Sequence, residues 1–593
     1  MEEGLWSELK RRGVVKAATA YAAFVWVVLE HLVHQVWLVP AWMQRVLMVA
    51  GILGFPVVVA VAWYFDLTRG GLVRDQQTRI RASRAPLVLV ASIGLAVVTV
   101  TAYLLAPRLL QSGDQELRTV AVFGFENLSG DRSLEEIAQG MGDELRRRLG
   151  VVEGLRVIAR ESMSSPLLAA LSRADAAQRL GATHAVRGTL QGNGSQLRVN
   201  VAIERMATGE SLWSGQFDGS TAKVLNVQKQ VTETVGGALA ERLSDEQRAK
   251  LKQQPTDNEQ AWRLYVRALR WSDSWTLEAG ETAIAQLEEA TRLDPHFALA
   301  FAEIAHAYSA VGQMKPLPSR EVAALGQAAV NSALTIDPDL AEGWAMAGMY
   351  SCHYVDWDRA KCQRLVQRAV DLDPNSLTAW MYLLQYYLAF DPGNPMGSQV
   401  AERMVKLDPV GLWSATIPAA QAMNAYHTLR EPELLDKALA ELTYARQLGP
   451  DFWFTNFIEC YVFGRMGRLE EAVSACRRMI DKTGGSLETH WLLAMTLAQA
   501  GHRGEALEIL HLLEDKARTS YLPPFELAVI HAALGNREEC IAAAEQAVRD
   551  RDILILWQID SPEFDFVLDD PRIQAVYNEF GLPRPQVAGR PPA

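Results

Sequence analysis

Residues 120–150 read VAVFGFENLSGDRSLEEIAQGMGDELRRRLG. An apolar strand runs into a polar loop bearing a glycine, and a helix with acids in its first turn follows. A phosphate or a metal could sit in such a place. A phosphate cradle, however, needs several backbone amides converging at the helix start, usually from a glycine-dense loop. Here the loop has Gly130 beside Asp131, while Glu135 and Glu136 occupy the first turn. Those acids suit the helix dipole and repel phosphate. Ser129 or Asp131 is therefore expected to cap the helix rather than to react.

Other chemistry is scarce. There is no G-x-x-x-x-G-K-[ST], no H-E-x-x-H and no G-x-S-x-G. The near miss EHLVH, residues 30–34, has its histidines three apart. Glu30 and His34 share a helical face and could form a proton-titrating pair in a membrane. The favoured alternative sets them near an interface, beside Trp26, Trp37 and Trp42, in contact with water. No Cys/His cluster has zinc spacing. No catalytic, cofactor-binding or metal site is expected, and the chain is not expected to be an enzyme.

The five cysteines are Cys352, Cys362, Cys460, Cys476 and Cys540. Cys352 and Cys362 flank one turn, and Cys460 and Cys476 flank Gly467. Each pair could bridge the two helices of a hairpin as a disulfide. The favoured alternative is that all five are small buried residues filling tight positions.

The elements that must position these residues repeat themselves. RLDP, TIDP, DLDP, KLDP and QLGP end at Pro295, Pro338, Pro374, Pro409 and Pro450, at spacings of 43, 36, 35 and 41 residues. Turn glycines follow at Gly467, Gly501 and Gly535, spaced 34 and 34. Proline lacks an amide donor and stops a helix. The 34-residue period resembles the tetratricopeptide (TPR) signature, which implies a solenoid of seven or eight helix pairs over residues 258–552. Residues 312–319 insert into the second repeat, and residues 553–593 should cap the solenoid with a polar outer face. Phe457, Trp491 and Phe525 recur every 34 residues, with Tyr461, Met495 and Val529 four further on. They either line a concave, aromatic protein-binding groove on the first helix of each repeat or pack on their own neighbours.

Residues 118–247 precede the repeats. Strands are expected near 119–125, 155–159, 184–190, 197–204 and 212–217, with helices over 134–149, around 175–180 and over 224–243. Leu134, Ile137, Met141 and Leu145 make one apolar face, and Asn193-Gly194 suits a hairpin turn. The ordered stretches VAVFGFENLSGD, LRVIAR, AQRLGATHAVRGTLQ, LRVNVAI and TGESLWSGQFD resemble the TolB N-terminal-like (FlgO/CsgG-like) domain of bacterial envelope proteins, with Gly124 where that family commonly has proline. The resemblance implies a mixed α/β domain tied to envelope assembly and protein contacts.

The 593 residues carry a net charge of −12. Residues 1–106 hold ten Lys/Arg against six Asp/Glu, which leaves −16 for the rest. An acidic body repels phosphate, so no nucleic-acid partner is expected. Residues 17–38, 46–65 and 87–106 are each long enough to span a bilayer; the first, which contains Glu30, His31 and His34, has a re-entrant or interfacial helix as its alternative. Basic residues before the first span, and five arginines in 66–84, place the N-terminus in the cytoplasm by the positive-inside bias. Everything after residue 107 is then periplasmic, in a bacterial inner membrane.

The expected fold class is multidomain: an α-helical membrane anchor of three spans (residues 1–110), a mixed α/β domain (118–247), an α-solenoid of TPR helix pairs (258–552) and a tail. The α/β domain with repeats also resembles the rear part of class III adenylate cyclases and of winged-helix regulators of the CadC kind. Only about sixteen residues precede the first span, so neither head is expected here. A scaffold binding periplasmic proteins or peptides is expected, with lipid as the second partner. The alternative is a signalling subunit coupling an outer ligand to a separate cytoplasmic effector.

Overall fold

The computed structural model describes residues 65–68, 71–74 and 118–580, apart from 132–133, 194, 241–242, 275, 316, 392–393, 484–488 and 560. The chain forms two units, Met1–Glu116 and Leu117–Ala593. The described part of the first is an antiparallel hairpin of β1 (Phe65–Thr68) and β2 (Gly71–Arg74). Phe65, expected to end the second span, is thus a strand residue. The rest of the expected spans, with Glu30 and His34, lies outside the described residues. No helix among the described residues is long and apolar enough to cross a membrane.

The second unit opens with a mixed sheet. Its strands are β3 (Arg118–Val122), β4 (Glu126–Asn127), β5 (Leu155–Val157), β6 (His184–Asn193), β7 (Gln196–Arg205) and β8 (Ser211–Ser220). The order is β5-β3-β6-β7-β8, with β4 against β6; β5, β3 and β6 run parallel, and β6, β7 and β8 antiparallel. Strand alternation divides β3 between two cores. Val120 and Val122 face α1 (Glu135–Gly150), whose Ile137, Met141, Leu145 and Leu149 are buried. Ala121 faces the other side, with Ile158 and with Ala176, Ala177 and Leu180, residues of the helix that ends there. The result is helix, sheet, helix.

Several details differ from expectation, among them β3, which stops at Val122 rather than 125, and the helix from Val224, which stops at Leu239 rather than 243. β5 stops at Val157, because α2 (Arg160–Met163), α3 (Pro166–Ala170) and α4 (Arg173–Leu180) begin almost at once. β6 and β7 also run further than their apolar cores, because polar residues at the hairpin still pair, Asn193 with Gln196. Then α5 (Val224–Leu239) crosses the first face and α6 (Asp245–Lys252) starts on a capping box at Ser244 and Gln247.

Helix pairs follow: α7 (Glu259–Ala268) with α9 (Leu277–Leu293) around the short α8 (Trp271–Ser274), α10 (Ala298–Met314) with α11 (Ser319–Ile336), and α12 (Ala341–Tyr350) with α13 (Arg359–Leu372). They continue as α14 (Leu377–Phe390) with α15 (Pro395–Leu407), α16 (Leu412–Leu429) with α17 (Glu433–Leu448), and α18 (Trp453–Arg465) with α19 (Leu469–Lys482). The last are α20 (His490–Gln499) with α21 (Arg503–Ala517) and α22 (Pro524–Leu534) with α23 (Arg537–Asp550). These described residues make eight hairpins in a TPR-like helical-repeat solenoid. The glycines at three of its turns have positive φ, 73°, 82° and 76° at Gly467, Gly501 and Gly535, a conformation that a side chain resists.

Each Asp-Pro turn works by its aspartate as well as its proline. Helices α9, α11 and α13 end just before Asp294, Asp337 and Asp373. Those carboxylates accept the backbone N–H two residues on, from His296 (2.9 Å), Asp339 (3.0 Å) and Asn375 (2.9 Å). This is the Asx-turn that competes with helix continuation.

After α23 come α24 (Leu554–Gln558), a 3-10 turn at Pro562–Phe564 and α25 (Pro571–Phe580). The solenoid has by then wound back on itself. α24 touches α14, the Ser319 hydroxyl donates to the Arg551 carbonyl at 2.7 Å, and the Arg551 guanidinium lies 5.6 Å over the Trp357 ring.

Candidate functional site

The loop after β3 is organised by a residue that the sequence did not single out. Asn127 accepts from the Ser129 N–H and hydroxyl (3.1 and 2.5 Å) and donates to the Asp131 carbonyl (2.7 Å). Ser129 in turn accepts from the Asp131 N–H at 3.3 Å. α1 follows Leu134 with no side-chain cap. Its first-turn acids serve contacts: Glu135 accepts from Gln139, and Glu136 pairs with Arg267 of α7 at 3.0 Å. A Cβ on Gly140 would stand 2.7 Å from Val266, so α1 and α7 approach as closely as glycine permits.

Further along α1, buried Glu144 meets Arg147 (2.7 Å) and Arg148 (2.5 Å). Burial alone would raise its pKa, but the two guanidiniums outweigh burial and hold it below the usual range.

The α/β domain docks on two consecutive Asp-Pro turns. Asn375 accepts from the Val157 N–H (3.0 Å) and donates to the Gly150 (2.6 Å) and Leu155 (3.1 Å) carbonyls. Ala159 N–H donates to the Leu407 carbonyl at 2.8 Å. Edge strand β5 is thereby covered, which removes a pairing hazard. At the next turn the carboxylate is diverted. Asp408 accepts from the Ser162 and Ser414 hydroxyls, both at 2.6 Å, and Val410 N–H donates to Ser162 instead. Burial, with Glu161 nearby, pushes Asp408 up to about 7; burial, with Glu342 nearby, does the same to Asp373. Val410 itself completes the second core of the sheet.

The six expected groove residues are brought together, but not as an open groove. Tyr461, Trp491, Met495, Phe525 and Val529 are buried and Phe457 is half-buried. Phe457 stacks on Tyr461 (6.4 Å) and meets Trp491 edge-on (6.3 Å). They pack on their own neighbours, because each first helix is covered by the next repeat. Polar residues at the far ends of these helices carry the surface that sequence reading missed. Arg430, Arg465 and Gln499 recur at spacings of 35 and 34 residues, a period visible in the sequence itself. All three face residues 561–566, so the expected polar-faced cap instead sends acidic and aromatic residues inward. Arg465 pairs with Glu563, with both side chains about 95% buried.

Cys352 is bonded to Cys362, and Cys460 to Cys476, with Cα separations of 5.2 and 5.1 Å, within the range a bridge requires. Cys460–Cys476 ties α18 to α19, and Cys352–Cys362 ties the π-helical turn that follows α12, Ser351–Val355, to α13. The Thr496 hydroxyl lies 3.6 and 3.5 Å from the Cys460 and Cys476 sulfurs. Cys540 is free and buried, and burial pushes its thiol up to about 12. Among the described residues no group of three or more His, Cys, Asp or Glu could hold a metal.

No family model matches the chain. A curated relative, "Putative adenylate cyclase 3" of Rhizobium meliloti (strain 1021), is 26% identical over 191 residues, 31% of this chain and 32% of that protein. The chain therefore spans about a third of the length of this relative. The match overturns the expectation that the chain is not an enzyme, since the similar protein carries an enzyme's name. Similar solved structures include the human IFIT1 dimer with m7Gppp-AAAA, at 12% identity and TM-score 0.36, covering 55% of this chain and 77% of that one. Yeast Tom70 has 12% identity and TM-score 0.32, covering 60% and 85%. YrrB, a TPR protein with an unusual peptide-binding site, has 14% identity and TM-score 0.22, covering 33% and 91%. At these scores none of the three bears on function.

Proposed function

We propose that this chain is a scaffold that binds a protein or peptide through its solenoid. Residues 1–110 would anchor it in a bacterial inner membrane, and the body would lie in the periplasm as a TolB-like domain with TPR repeats. The supporting observation is the stack of eight hairpins, an architecture whose winding creates extended surfaces suited to polypeptide segments. Photo-crosslinkers at exposed solenoid positions such as Leu325 and Leu512, used in intact cells, test the reading. A specific polypeptide crosslinked to the repeats supports it, and empty lanes at every position sink it. Protease access to the C-terminus in spheroplasts tests the topology, where protection would overturn the periplasmic placement.

A second reading is a signalling subunit, favoured by the similarity to a protein named as an adenylate cyclase. Cyclic AMP formation from ATP and Mg²⁺ by the full chain, alone and with a candidate effector, tests it. No nucleotide turnover in either setting would remove this reading.

A further inference from the structure

The strongest unexplained contact lies where residues 561–566, SPEFDF, cross the ends of three repeats. Arg430 directly follows α16, while Arg465 and Gln499 are the last residues of α18 and α20. They are the same position in three successive repeats. Glu563 accepts from Arg465 (2.5 Å) and from Gln499 (2.5 Å), and Asp565 accepts from Arg430 at 2.8 Å. Between the two acids Phe564 is fully buried and stacks on Phe525, with centroids 5.2 Å apart and planes 12° apart. The Arg465 guanidinium also lies 4.3 Å over the Tyr461 ring, which fixes its plane.

An end cap needs only to cover the apolar face of the last repeat. This segment reaches back 135 residues to Arg430 and 98 to Arg465. Its own regular structure is a single 3-10 turn, Pro562–Phe564. A buried ion pair adds little net stability over an apolar contact of the same shape, but it is selective about what lies opposite. Two donors and an amide at repeat spacing, over an aromatic floor, read an acid-aromatic-acid triplet.

We propose that residues 561–566 are an internal occupant of a peptide site built by Arg430, Tyr461, Arg465, Gln499 and Phe525. The site takes a partner segment of the same chemistry, an aromatic residue flanked by two acids, and that segment must displace the chain's own. This deepens the scaffold reading and rests on it, by naming the surface and the class of partner.

The test uses the full chain and a fluorescent synthetic peptide of residues 558–570, read by anisotropy. Wild-type protein should bind it weakly. Glu563→Gln or Phe564→Ala should bind it at least tenfold more tightly, because each weakens the internal occupant. Adding Arg465→Ala to either variant should remove the gain, and a scrambled peptide should bind to neither. Equal binding by wild type and both single variants, with unchanged circular dichroism and melting, overturns the proposal. So does a gain that survives Arg465→Ala. If one variant fails to fold, the other supplies the comparison. The assay uses the chain's own peptide, so its failure leaves the scaffold reading intact, and a failed crosslinking search leaves this result intact.

Discussion

The α/β domain meets the turns of repeats three and four through backbone groups, hydroxyls and an amide, whereas residues 561–566 meet repeats five to seven through paired charges. The first contact shares its core with the sheet, since Val410 packs among Ala121, Ile158 and Leu180. Its carboxyls, Asp373 and Asp408, are held toward the protonated form. The second contact buries a guanidinium against a carboxylate and adds one aromatic stack. At those two turns neutral, backbone-directed contact joins the domain to a shared core, beside the exposed Glu136–Arg267 pair on α7. Charged contact specifies a register and leaves the occupant exchangeable.

The largest effect should come from Arg465→Ala, which strands Glu563 in a buried site at a cost of about 3–5 kcal/mol. Denaturant unfolding of the full chain, with hydrogen exchange of residues 561–566, would read it. A loss below about 1 kcal/mol would show that the charges are not what hold the segment. Next is the Cys460–Cys476 bridge, which closes a 16-residue separation in the hairpin that carries Arg465. Cys460→Ser with Cys476→Ser should cost about 3 kcal/mol. Equal unfolding midpoints with and without reductant in the wild type would deny the bridge.

Asn375→Ala should cost about 2–3 kcal/mol, because three backbone groups at the β5 edge lose their partner. The loss should appear as faster exchange at Val157 while residues 561–566 stay protected. The last prediction is a pH dependence. Asp408 has its pKa raised from about 3.8 to about 7 in the folded chain. Its favourable contribution is complete below the ordinary carboxylate range and is lost as pH rises to about 7. Asp408→Asn should therefore leave stability at pH 4 nearly unchanged and raise it at pH 8. Melting curves at the two pH values that shift in parallel would refute this.

Features governed by local chemistry were legible in the sequence. The glycines at 467, 501 and 535 announce left-handed turns, and Leu134, Ile137, Met141 and Leu145 announce a buried helix face that is at most 3% exposed. Contacts between distant residues were not. Asn375 follows an Asp-Pro turn like its siblings, and its role depends on a strand 218 residues earlier. The loop at 126–131 converges on Asn127, whose bonds to Ser129 and Asp131 no residue pattern announced. The 34-residue aromatic period marked residues that pack on their own neighbours, while Arg430, Arg465 and Gln499 showed their own period but needed Glu563 to reveal its use. The anchor, resting on residues 17–38, 46–65 and 87–106, remains a proposal.

The covered edge of β5 has a consequence for synthesis. Its partner Asn375 lies 218 residues beyond Val157, and Asp408 lies 246 residues beyond Ser162, just after the strand. At about 5–20 residues per second, a ribosome needs roughly 10–50 s to supply them. During that interval the emerging sheet carries a bare pairing edge, and any nascent neighbour on the same message carries another. A chaperone that shields extended edges should thus be needed early, and its release should coincide with emergence of the fourth repeat.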